Sequence, residues 1–134
     1  MDNIPISSEI LNLFSTWADH FKNKLTETGV PGLIQKYKDI VDNVNNQKCP
    51  HGNDYQNCCG ISYEYYNDIS VRTALQILID NLSDKESNQI IQEINSIDLI
   101  HKKLIIDNPV NYGKEYHLKK HKWWENLLPM GVVE

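Results

Sequence analysis

Apolar side chains recur every three or four residues in four separate stretches of this chain, the spacing of one helix face rather than of a strand. Ile10, Phe14, Trp17, Phe21 and Leu25 form the first stripe, behind Ser7 and Ser8 as N-cap residues and ahead of Gly29-Val30-Pro31-Gly32 as a stop. Leu33, Tyr37, Ile40 and Val44 form the second. Pro31 suits the first turn of that helix, which is expected to run back antiparallel to the one before it. A third helix is expected between Ile61 and Leu82, where Tyr63, Tyr65 and Tyr66 lead into Val71, Leu75, Leu78 and Leu82, and Asp68 or Ser70 can cap a start midway. Ser83-Asp84-Lys85-Glu86 is a capping box and sets the start of a fourth helix. Its stripe is Ile90, Ile94, Ile97, His101 and Leu104, and Asn108-Pro109 ends it. The expected fold is therefore an all-α, single-domain bundle of four to five helices over residues 1–134. Two segments stand outside the pattern: a long Cys-, Gly- and Asn-containing loop from Cys49 to Gly60, and an irregular aromatic tail from Val110 to Glu134. The tail is expected to dock on the bundle through Trp123 or Trp124.

A chain of 134 residues that is 40% apolar can bury a continuous core without disulfides or metals. Three cysteines, two of them adjacent as Cys58-Cys59, make a poor disulfide framework and fit reduced thiols in a cytoplasm. Met1-Asp2-Asn3-Ile4-Pro5 lacks the charged and apolar regions of a signal peptide. No stretch approaches the roughly 18 consecutive apolar residues of a membrane span. A soluble, cytoplasmic protein with no membrane partner is expected. The net charge of −5 opposes binding to a phosphate backbone, so nucleic acid is disfavoured. Between Cys49 and Tyr112 nine acidic residues face four basic ones, and a basic partner would be steered toward that segment.

The chain carries neither a nucleophile elbow nor a phosphate-cradling glycine loop, and no enzyme activity is expected. Cys49, His51, Cys58 and Cys59 place three thiols and one imidazole within eleven residues, a set of soft donors that suits Zn²⁺. The spacing departs from paired CxxC knuckles, and adjacent cysteines seldom both reach one ion. The expectation is thus a polar loop anchored by cysteines acting as small apolar residues, with no cofactor and a zinc-binding or regulatory role as the alternative. His117 and His121 are four apart, as for a metal half-site on one helix face, but Lys119, Lys120 and Lys122 surround them and favour a solvated basic patch. His101, on an apolar stripe, reads as a partly buried, hydrogen-bonded histidine, and His20 as exposed beside Phe21. Tyr55, Tyr63 and Tyr66 lie near Asp54, Glu64 and Asp68, an aromatic and acidic combination able to anchor a basic protein partner. Tyr65, and with it Tyr66, is the alternative candidate for closing the core.

From Asp68 to Ile106, with Ser70-Val71-Arg72-Thr73-Ala74-Leu75-Gln76 in one helix and Ile97-Asp98-Leu99-Ile100 in the next, the chain resembles the helical pair of small bacterial immunity-type proteins. The closing Trp123-Trp124-Glu125-Asn126-Leu127-Leu128-Pro129 adds to the resemblance. Such proteins, including those of contact-dependent growth inhibition systems, bind and neutralise a cognate toxin domain in the cytoplasm. The resemblance implies an antitoxin-like binding protein that occludes a toxin's active site, and it carries over no individual binding residue.

Overall fold

In a computed structural model, which describes residues 3–14 and 19–134, the chain is all-α. Among the described residues, four helices follow one another: α1 (Ser8–Asn12), α2 (Asp19–Asn46), α3 (Ser62–Asn81) and α4 (Asp84–Ile106). The three long ones pack against one another, and short 3-10 turns carry the loop and the tail. Among the described residues, no helix is long and apolar enough to cross a membrane.

The N-terminal stripe is divided differently from the expectation. Ser7 caps α1, its Oγ accepting from the N–H of Ile10. Leu13 and Phe14 then bond back three residues rather than four, which tightens and ends the turn while burying the Phe14 ring completely. Trp17 lies outside the described residues. Downstream, the helix breaks at Gly29 as expected, and α2 is two helical segments joined across a kink there. Gly29 takes the conformation that only glycine adopts readily (φ 72°), and Pro31 falls in the first turn after the break, where its missing N–H costs nothing. Phe21, Leu25, Val30, Leu33, Tyr37 and Val41 are buried along this kinked rod.

The Ser83 cap forms as expected, accepting from the N–H of Glu86, although its hydroxyl also donates to the Glu86 carboxylate at 2.8 Å, a second bond within the same box. Ile90, Ile94, Ile97, His101 and Ile105 are buried on α4. The tail docks as expected and uses both tryptophans. Trp124 is fully buried, donates from Nε1 to Thr73 Oγ1 at 2.8 Å and lies under the Arg72 guanidinium at 4.3 Å from its ring centroid. Asn108 and Asn111, both buried, donate to the Leu128 carbonyl and so pin the tail to the end of α4.

Candidate metal centre

The connection from α2 to α3 is built by local rules that bring its four soft donors together. Asn46 ends α2 with Gln47 in the left-handed region (φ 52°), while Lys48 N–H bonds to the Asn43 carbonyl and Gln47 N–H to that of Val44. That is a Schellman stop with glutamine in the usual glycine place. Cys49-Pro50-His51-Gly52 follows as a tight turn, closed by Gly52 N–H on the Cys49 carbonyl, with proline second and a positive-φ glycine fourth. A 3-10 turn (Tyr55–Asn57) then returns the chain, anchored by the buried Tyr55 ring. Gly60 lies so close beneath that ring that a Cβ there would sit 2.6 Å from it, so the close approach requires glycine.

The consequence is a compact cluster. His51 Nδ1 is 3.5 Å from Cys49 Sγ, 3.6 Å from Cys58 Sγ and 3.4 Å from Cys59 Sγ. Cys59 Sγ is in turn 3.5 Å from Cys49 Sγ and 3.9 Å from Cys58 Sγ, and all four atoms lie within 4.8 Å of one another. Around a tetrahedral ion with sulfurs at about 2.3 Å and an imidazole nitrogen at about 2.0–2.1 Å, two sulfurs stand about 3.8 Å apart and a sulfur and the nitrogen about 3.5 Å apart. Five edges of the cluster lie within a few tenths of an ångström of those lengths, and the sixth, between Cys49 and Cys58, is no more than 4.8 Å. Hydrogen bonding alone does not account for it, because a neutral imidazole nitrogen offers a single lone pair and three sulfurs surround this one. Nor is it a disulfide, whose sulfurs bond at about 2.05 Å; all three cysteines are free thiols.

The electrostatics prepare the site. Burial by itself would raise the Cys49 thiol, but backbone N–H groups of His51 and Asn53 donate to its sulfur and hold it down at about 6. Cys59 is pushed up to about 12, first by burial and then by its neighbours Cys49 and Cys58. A lowered Cys49 thiol would favour a cation at this cluster, and binding one would release the remaining thiol protons. Cys49 and Cys59 are buried, Cys58 is half-buried and His51 is exposed, so the cluster has a closed side and a solvent side. A cleft of about 190 Å³ opens beside it, with Lys36 and Asp68 on its wall.

Cys49, His51, Cys58 and Cys59, expected to anchor the loop with zinc binding as the alternative, lie together, and the adjacent Cys58 and Cys59 both bring their sulfurs to the cluster. Of the aromatic and acidic residues expected to face a partner, Tyr63 is 76% exposed, and Asp54 and Glu64 are exposed with it. Tyr66 and Asp68 are half-buried, and burial followed by the Glu64 charge raises the Asp68 carboxyl. Tyr55 is a correction: only 5% exposed, it belongs to the core and holds the loop. Asp98 makes a two-pronged ion pair with buried Arg72 at 3.0 Å on each arm. His117 and His121 do not share a helix face; His117 sits in a 3-10 turn (Glu115–Lys119) and His121 pairs with Asp80 at 3.2 Å. His20 is exposed beside Phe21, as expected.

A second polar centre is largely internal, with only Asp98 partly exposed. Tyr37 donates to Asp98 at 2.6 Å, so its oxygen must accept from His101 Nδ1–H at 2.9 Å, and His101 Nε2 then accepts from Tyr65 O–H at 2.6 Å. Side chains from α2, α3 and α4 meet in this one chain of protons, which ends on the Arg72 guanidinium. Burial, followed by the charges of Arg72 and Lys102, keeps His101 neutral with its pKa lowered to about 3. No protein-family model, curated protein or solved structure matches the chain.

Proposed function

We propose that this chain is a zinc-binding protein whose ion sits in a closed, structural centre formed by Cys49, His51, Cys58 and Cys59. The observation that carries this reading is the ring of three sulfurs at 3.4–3.6 Å around one imidazole nitrogen. Three thiolates and an imidazole in a tetrahedron select Zn²⁺ over the harder divalent ions, and four protein ligands leave no position for a substrate. The ion staples the connection between α2 and α3 and, through Gly60 and Ser62, the chain end: Val133 N–H donates to the Gly60 carbonyl and Ser62 N–H to the Val133 carbonyl, both at 2.8 Å. Protein purified without chelators, or reconstituted under reducing conditions, should hold one equivalent of zinc, and Co²⁺ in its place should give the intense visible bands of a tetrahedral thiolate site. A chain that takes up neither ion after reconstitution contradicts the proposal.

A second reading concerns what the stapled loop presents. Tyr63 protrudes from the first turn of α3, directly after the loop, beside exposed Glu64 and with exposed Asp54 in the same segment. An exposed tyrosine among carboxylates suits a basic protein partner, and the resemblance to immunity proteins makes a cognate toxin domain the candidate. Co-expression with the product of an adjacent gene tests it. Protection from growth arrest should be lost when Asp54 and Glu64 are changed to Lys, and undiminished protection by that variant would rule this surface out.

A further inference from the structure

We infer that Cys58 is an oxidative modification site: a peroxide attacks it, Cys49 resolves it as a disulfide, and the zinc is released. The inference rests on the zinc centre proposed above and assigns its regulation. Three observations carry it. Cys58 is the most open of the three cysteines, half-buried where Cys49 and Cys59 are buried, and His51 beside it is exposed. A small oxidant therefore meets Cys58 first, as for redox-sensing thiolates that are accessible and have a resolving neighbour. The nearby cleft borders Cys59 and His51 but not Cys58, so approach is from the outer face of the loop.

The choice of resolving thiol follows from covalent geometry. Neighbouring residues across a trans peptide have Cα atoms about 3.8 Å apart, short of the roughly 4.4 Å at which unstrained disulfides begin. Cys58 is thus poorly placed to close on Cys59, although their sulfurs are 3.9 Å apart. Cys49 Sγ lies within 4.8 Å and comes from a separate turn, where the loop between the two can adjust. The steps balance with hydrogen peroxide as oxidant. The Cys58 thiolate gives its lone pair to one peroxide oxygen, the O–O bond breaks, and a sulfenic acid and hydroxide result. The Cys49 thiolate then attacks that sulfur, the S–O bond breaks and a second hydroxide leaves. Two thiolates lose two electrons in all, and with two protons the peroxide becomes two waters. His51 and Cys59 alone remain to hold the ion, which is too few for a structural zinc site.

The test uses the zinc-loaded chain. Its zinc content is measured first, a modest excess of hydrogen peroxide is added, and released zinc is followed with a chromogenic chelator while peptide mass mapping follows each thiol. Release should run roughly tenfold or more above the peroxide-free rate, Cys58 should be consumed first, and the cross-linked peptide should join Cys49 to Cys58. A dithiol with added zinc should restore the starting state. Zinc retained with Cys58 reduced, first consumption of Cys59, or release with any other cross-link overturns the inference and leaves the centre standing. A chain with no zinc before peroxide is added overturns both.

Discussion

At the scale of single residues, the fold is held by a small number of polar contacts that the core cannot replace. Tyr65 is fully buried, and its hydroxyl is the donor that Nε2 of His101 requires. Tyr65→Phe removes that proton and strands an acceptor, so it should cost about 1–3 kcal/mol in denaturant titrations. A midpoint unchanged from the parent would show that the tyrosine only fills space. The same network sets an acid limit on stability. His101 titrates near 6.5 in the unfolded chain and at about 3 in the fold, so the unfolded state binds the extra proton between those values. The stabilisation from keeping it neutral is complete above about pH 6.5 and is lost as pH falls toward 3. In His101→Gln, which keeps one donor and one acceptor but cannot charge, stability should fall less steeply over that window. Equal slopes would place the acid sensitivity elsewhere.

Among the elements, the decisive contacts are those where one segment ends on another. The start of α3 lacks a side-chain cap, and the carbonyl of Val133, more than seventy positions away, accepts from its Ser62 N–H instead. Neither Asp68 nor Ser70, the caps suggested by composition, marks a helix start; both lie inside α3. Gly60 is where loop, helix and chain end converge, and a Cβ there meets the Tyr55 ring and carbonyl at 2.6 and 2.8 Å. Gly60→Ala should therefore lower the melting temperature and speed zinc loss to a competing chelator together. A variant that loses stability but keeps its zinc as tightly as the parent would separate the two and weaken the proposed staple.

For the molecule as a whole, the core and the metal centre contribute at different levels. Most buried apolar side chains lie on α2, α3, α4 and the tail, so the proposed zinc ion would not be needed to assemble the bundle in the way it is for a zinc finger. Chelation should leave the helical circular dichroism largely intact while lowering the melting temperature and opening residues 49–60 to proteolysis. Collapse of the helical signal on chelation would mean that the ion organises the whole fold. The negative charge is also distributed at this scale: the Arg72 and Asp98 pair cancels internally, and the outward field comes from exposed acids such as Asp54 and Glu64.

Helix content, the Ser83 start, the Pro109 stop, the docking tail and the burial of His101 were legible in the order of residues, because each depends on spacing within one or two turns. The break after Leu13 was not, since an apolar stripe of period 3.6 reads alike through a continuous helix and an interruption, whereas Gly29 and Pro31 did mark the break inside α2. The metal centre divides in the same way. Its four donors were visible as a group, but whether adjacent cysteines converge on one point depends on turns closed by Gly52 and on the ring of Tyr55 buried among distant helices. Local chemistry determined which segments are helices and which residues can ligate. Only the tertiary structure decided that Tyr55 is a core residue rather than a partner contact, and that three sulfurs and one nitrogen lie within 4.8 Å of one another, because the first depends on distant helices and the second on how the loop closes over that buried ring.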